Sequence, residues 1–220
     1  MTARATPPAD RCLPPLTQRP RGVVFDLDGT LVDSWHLHLA CLRDAAAAVG
    51  GRPPSAARLL TAQRPTDAGT VRALVGADHL EPALRAYQEA FAARIAERPA
   101  VAVPGAVALV HTLRERQVPL AVCTGRGRQE ALLLLAAAGL PRLPLVARED
   151  CTEPKPAPEG LLLAIHAVGL QVRQSLYVGD SPADVAQGEA AGVATVLLPP
   201  GHLEACFGPW LLSNEWELPT

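Results

Sequence analysis

Five short runs of consecutive apolar residues constrain this chain more than any other feature. They are Gly22–Leu27, Pro119–Thr124, Leu143–Ala147, Ser175–Asp180 and Ala194–Leu198. Their apolar residues do not alternate with polar ones, so each run reads as a strand covered on both faces, as in a parallel sheet. Helical patterns lie between them. Pro104–Arg116 opens with a proline suited to a first helical turn. Gly127–Ala138, Pro158–Val168 and Pro182–Ala191 each end at a glycine, Gly139, Gly169 and Gly192. Repeated strand–helix alternation with right-handed crossovers predicts an α/β fold with a doubly wound, Rossmann-like parallel sheet.

One long segment breaks this rhythm. Between Ser34 and Ala100 no strand pattern occurs, and four helices fit: Ser34–Val49, Ser55–Gln63, Thr66–Val75 and Glu81–Glu97. Pro53, Pro54 and Pro65 separate some of them, and Pro99 ends the last. The expected organisation is an all-helical cap, 34–100, inserted into a core formed by 22–33 and 101–220. The hinges are expected near Asp33–Trp35 and Ala100–Pro104. Residues 1–21, rich in Pro and Arg, read as a disordered or loosely attached tail. The stretch 201–220, with Trp210 and Trp216, receives no assignment.

Composition removes several classes of function. Net charge is −2 with no basic stripe, which argues against nucleic acid as a partner. No apolar stretch approaches the roughly 18 residues of a membrane span. The five cysteines, Cys12, Cys41, Cys123, Cys151 and Cys206, are widely spaced and form no CxxC. A disulfide framework or zinc site is therefore not expected, and a reducing cytoplasm is.

Polar residues gather at the strand ends. The first run leads into Asp26-Leu-Asp28-Gly-Thr30 and the second stops at Thr124. Lys155 follows the third, and the fourth leads into Gly179-Asp180-Ser-Pro-Ala-Asp184. In an open parallel sheet the carboxyl ends of the strands share one edge, where ligands bind. Asp26, Asp28 and Asp180 would repel one another there unless a cation sat among them. Oxygen ligands without His or Cys favour a hard ion, Mg²⁺ by default. Carboxylates with one ammonium and one hydroxyl suit a transferring phosphoryl group.

These segments carry a resemblance. Asp26-Leu-Asp-Gly-Thr30, Thr124, Lys155 and Gly179-Asp180…Asp184 match, in order and spacing, the four motifs of the haloacid dehalogenase superfamily. The phrases "LVDS", "VPGAVALVHTLRERQ", "KPAPEG" and "VGDSPADVAQGEAAG" match too, so the likeness runs from about Gly22 to Leu198. The helical insertion after the first motif resembles the cap of the phosphoglycolate phosphatase and β-phosphoglucomutase group. The resemblance implies a Mg²⁺-dependent phosphatase acting through an aspartyl-phosphate. Asp26 would be the nucleophile, and Asp28 the acid and then the base. Asp26, the Asp28 carbonyl and Asp180 would hold the ion. Asp184 would be an outer-sphere partner of the ion or a brace for Lys155, and Thr124 would hold a phosphoryl oxygen. Lys155 would sit between the Asp26 carboxylate and the phosphoryl group. It is the one lysine among 20 basic residues, at a place where arginine's planar fork fits poorly.

Other residues are candidates for substrate contact. Gly125 and Arg126 depart from the Thr-Asn or Ser-Asn usual at the second motif. Either the loop binds through its backbone or Arg126 reaches the substrate, and the bland alternative is a solvated loop arginine. His38 stands near the expected hinge, where it could assist Asp28 or touch the leaving group; otherwise it is a partly buried helix histidine. Arg64 is the cap arginine placed to clamp an anionic tail. Ser181 reads as a cap for the helix that follows it. The expected partner is a small phosphorylated metabolite, met by a monomer or homodimer. A sugar phosphomutase of the β-phosphoglucomutase type is the nearest rival. A non-catalytic regulatory protein on the same fold would be expected to lack Asp26 or Asp28. A dehalogenase has no use for Mg²⁺, and a phosphonatase would need a cap lysine.

Overall fold

The computed structural model describes residues 19–50, 52–97, 100–198 and Leu203. The strands and helices expected from the sequence map onto it closely. Five parallel strands form the main sheet: β1 Gly22–Phe25, β4 Leu120–Cys123, β5 Leu145–Val146, β6 Ser175–Gly179 and β7 Ala194–Leu197, in the order β5-β4-β1-β6-β7. β1 is central, in register with β4 through Val23↔Leu120 and with β6 through Val23↔Leu176.

The continuous apolar runs have their cause in this placement. On one face Val23 and Phe25 pack with Leu109 and Leu113 of α5 (Ala106–Glu115) and Leu134 of α6 (Arg128–Ala137). On the other, Val24 packs with Leu161 and Ile165 of α7 (Glu159–Ala167). Successive side chains point to opposite faces, and both faces are apolar. The last helix, α8 (Pro182–Ala191), begins with Pro182 after its N-cap Ser181.

The insertion is helical as expected: α1 Trp35–Ala48, α2 Ala56–Thr61, α3 Asp67–Val75 and α4 Leu80–Glu97. Cys41, Leu42 and Ala45 of α1 and Tyr87 and Phe91 of α4 are buried in one cluster. Ser55 and Thr66 cap α2 and α3, each accepting a backbone N–H three residues on.

Two features differ from the sequence expectations. β2 (Val32–Asp33) and β3 (Val101–Ala102) form a small antiparallel ribbon where the chain enters and leaves the insertion. Two residues are too few to show a strand pattern, so only pairing reveals them. Pro104 is not in a first helical turn: Gly105 is the N-cap of α5, and the proline lies one residue outside it. The expected tail and most of 201–220 lie outside the described residues. None of the described helices is long and apolar enough to cross a membrane.

Candidate active site

The carboxyl ends of β1, β4 and β6 do converge. Asp26 follows β1 directly, and its N–H continues the ladder to the Val178 carbonyl at 2.8 Å. Thr124 does the same beyond β4, donating to the Val146 carbonyl at 3.0 Å. After Asp28 the chain turns sharply, with Gly29 at φ 80° and its N–H donating to the Val32 carbonyl at 2.8 Å. A Cβ on Gly29 would lie 2.1 Å from Asp180 Oδ2. The glycine is thus required twice, for the backbone conformation and for the approach of Asp180.

Asp26, Asp180 and Asp184 each offer a carboxylate oxygen, and these oxygens lie within 4.8 Å of one another. Lys155 reaches this cluster from the loop after β5. Its Nζ donates to Asp26 Oδ1 at 2.5 Å, Asp184 Oδ1 at 2.7 Å and Tyr177 Oη at 2.8 Å. Its three donors are thereby matched to three core acceptors, and although burial opposes its charge, Asp26, Tyr177 and Asp184 hold it cationic. Asp184 is heavily committed. Oδ1 also accepts from Tyr177 Oη at 2.6 Å, and Oδ2 accepts from the Ser181 N–H and hydroxyl at 3.1 and 2.6 Å. Of its two expected roles, these contacts describe the brace for Lys155. Tyr177, buried inside β6, is a member of the site that the apolar pattern of the strand concealed.

Burial and the neighbouring Asp184 push Asp180 up to about 6. Burial also raises Asp26, with Asp184 and Asp28 adding repulsion that Lys155 offsets only in part. Clustered carboxylates that tend to take up protons are what a divalent cation would relieve. The donor set is all oxygen, so it fits a hard ion such as Mg²⁺.

Asp28, two residues from Asp26, lines the same cavity. Burial alone would raise it, but Arg126, with help from the Ser34 hydroxyl, holds it below the usual carboxylate range. Arg126 Nε donates to both carboxylate oxygens at 3.0 Å, Nη2 donates to Oδ1 at 2.7 Å, and the Ser34 hydroxyl also donates to Oδ1. The solvated loop arginine is therefore the wrong picture, since Arg126 is 6 % exposed. Its partners Asp67 and Tyr87 lie 59 and 39 residues away in sequence, beyond the reach of any local signal.

The remaining candidates line the same cavity, of about 740 Å³, which has walls from both the core and the insertion. His38 is buried and kept neutral, mainly by desolvation. The Gln63 amide donates to the Leu59 carbonyl at 2.9 Å, so its oxygen faces His38 Nε2 at 3.2 Å. That places the ring proton on Nε2 and leaves Nδ1 to accept from Tyr87 Oη at 2.8 Å. Arg64 is exposed at the cavity wall, its Nη1 donating to the Thr61 and Gln63 carbonyls. Thr124 is buried, and its hydroxyl accepts the Arg126 N–H at 3.2 Å. Gly125 lies so close to the insertion that a Cβ would be 2.7 Å from the Pro65 carbonyl. Trp35, expected from sequence only as a hinge boundary, lines the cavity with 43 % of its surface exposed.

Two carboxylates two residues apart, an ammonium and a cluster of carboxylate oxygens at the strand ends are the arrangement expected of a haloacid dehalogenase-type hydrolase, and comparison agrees on the family. The haloacid dehalogenase-like hydrolase family matches residues 23–198, and the chain belongs to it. Phosphoglycolate phosphatase from Rhodospirillum rubrum is 36 % identical over 202 residues, 83 % of this chain and 81 % of that protein. Validoxylamine A 7'-phosphate phosphatase from Streptomyces hygroscopicus subsp. limoneus is 32 % identical, covering 81 % of this chain and 85 % of its own length. Among solved structures, CbbY from Rhodobacter sphaeroides in complex with phosphate superposes with a TM-score of 0.73. That match has 23 % identity over 82 % of this chain and 86 % of that one, and it supports the fold.

Proposed function

We propose that this protein is a Mg²⁺-dependent phosphomonoesterase for a small phosphorylated metabolite, acting through an aspartyl-phosphate on Asp26. The observation that carries the reading is the set of Asp26, Asp180 and Asp184 oxygens within 4.8 Å of one another, beside Lys155. The relatives named as phosphatases of phosphoglycolate and of validoxylamine A 7'-phosphate support it. In this reading 34–100 is a cap over a core of 22–33 and 101–220. The free thiols of Cys41, Cys123 and Cys151 support a reducing, cytoplasmic setting.

Asp26, Asp180 and the Asp28 carbonyl would hold Mg²⁺, with Asp184 behind them. The ion would supply Lewis-acid neutralisation of phosphoryl charge. Asp26 attacks phosphorus in line, and the bond to the leaving oxygen breaks as the bond to the carboxylate forms. Lys155 Nζ keeps the nucleophile aimed and balances charge on the phosphoryl oxygens, and the Thr124 hydroxyl lies beside them. Asp28 delivers a proton to the leaving oxygen and then accepts one from the water that opens the aspartyl-phosphate. As Arg126 grips it, Asp28 is ionised, which is the state the second step needs. Donating a proton in the first step requires at least one carboxylate oxygen to leave the guanidinium.

The test is turnover of a panel of phosphomonoesters, including phosphoglycolate and hexose, aminosugar and cyclitol phosphates, ranked by kcat/KM with Mg²⁺ and with EDTA. Release of inorganic phosphate that stops on chelation is expected. Isomerisation of glucose 1-phosphate without free phosphate would replace this reading with a mutase.

A further inference from the structure

We propose that Arg126 is a closure latch: its guanidinium ties Asp28 on the core to Asp67 and Tyr87 on the helical insertion. Movement of the insertion over the cavity is thereby transmitted to the group that handles the proton. The proposal rests on the phosphatase reading for its catalytic consequence, but the bridge itself is geometric.

Three cations line the cavity, and their partners differ in kind. Lys155 bonds to Asp26, Tyr177 and Asp184, all in the core. Arg64 bonds to carbonyls of its own segment in the insertion. Arg126 spans both. One edge of the fork is on Asp28, while Nη1 donates to Tyr87 Oη at 2.9 Å and to Asp67 Oδ2 at 3.4 Å. The Phe91 ring lies 5.0 Å from the guanidinium carbon, a cation–π contact from the same helix as Tyr87.

The insertion side is built to receive this charge. Asp67 is the first residue of α3, fixed by the Thr66 cap. Tyr87 is fully buried, and its hydroxyl also meets His38 Nδ1 and Asp67 Oδ1, at 2.8 and 3.3 Å. Gly125 against the Pro65 carbonyl makes a second contact between the same two segments, one residue from Arg126. The rigid planar fork presents one edge to Asp28 and a separate nitrogen to Asp67 and Tyr87, a span that the single nitrogen of an ammonium does not reproduce. With Asp67 and Tyr87 in place the guanidinium is held from both sides and keeps one edge on Asp28. When the insertion lifts, Arg126 loses those two anchors, so Asp28 is aligned only over an enclosed substrate. Arg126, Asp67 and Tyr87 are in this sense positioning residues, acting through Asp28.

The test is a double-mutant cycle on the full chain with p-nitrophenyl phosphate and Mg²⁺. Asp67→Asn is expected to lower kcat about tenfold and to leave KM within about threefold. In an Arg126→Gln background the same change should cost less than about twofold, because its target is gone. Arg126→Lys should behave as Arg126→Gln does. Hydrogen exchange of the metal-free proteins should show faster exchange across 56–75 in each single variant and no further gain in the double, with β1 and β6 unaffected. Losses that multiply in the double variant, or full activity in Arg126→Lys, overturn the latch. A parent that hydrolyses no phosphomonoester overturns the assigned function, and hydrogen exchange then still decides for or against the bridge.

Discussion

Replacing Lys155 by Met tests the centre of the site through stability, without reference to any substrate. The side chain is 10 % exposed and of similar length to Met, so no cavity opens. What is lost is the charge shared by Asp26 and Asp184, at 2.5 and 2.7 Å. Removing one partner of a buried ion pair costs about 3–5 kcal/mol. At about 2–4 °C per kcal/mol for a chain of this size, the melting temperature falls by about 6–20 °C. The pH dependence has a definite sign. Without the ammonium both carboxyl groups titrate higher in the folded state than in the unfolded chain, where Asp titrates near 3.9. A raised folded pKa means stability that is present at low pH and lost as pH rises through the folded value. The deficit should therefore be small near pH 4, grow above it, and be complete near pH 8. Thermal melts of parent and variant in EDTA at those two pH values measure it. A deficit below about 2 °C at the higher pH, or one equal at both, would refute the claim that Lys155 balances these two carboxylates.

Asp26→Asn should abolish turnover while the melting curve stays cooperative; activity near that of the parent would remove the nucleophile assignment. Asp180, raised to about 6, destabilises the metal-free protein as pH climbs from its unfolded value to about 6. Added Mg²⁺ should therefore raise the melting temperature near pH 7.5, and less so below about pH 6 as protons compete; calorimetry across that range checks it. Gly29→Ala adds a Cβ 2.1 Å from Asp180 Oδ2 at a φ of 80°. It should weaken Mg²⁺ binding by about tenfold or more, read by titrating activity against the ion.

The strand ends and the carboxylate cluster were legible in sequence because each depends on local signals. Continuous apolar runs mark strands covered on both faces, and an acidic pair follows the first of them. Arg126 was not legible. Nothing near Gly125-Arg126-Gly127 announces partners on α3 and α4, and a loop arginine is exposed unless distant chain folds over it. Tyr177 was hidden for a related reason: within a buried strand an aromatic residue reads as core, and its hydroxyl acquires meaning only when Lys155 arrives from another loop. The β2–β3 ribbon is two residues deep and exists through pairing alone.

That ribbon has an architectural consequence. Val32 pairs with Ala102 and Asp33 with Val101, so the excursion of more than sixty residues begins and ends at neighbouring points. For the sheet, such an excursion is equivalent to a hairpin loop, and lengthening a loop costs only about 0.6 kcal/mol per doubling. The inserted helices can thus be enlarged, trimmed or exchanged while the sheet and the carboxylates at its strand ends keep their register.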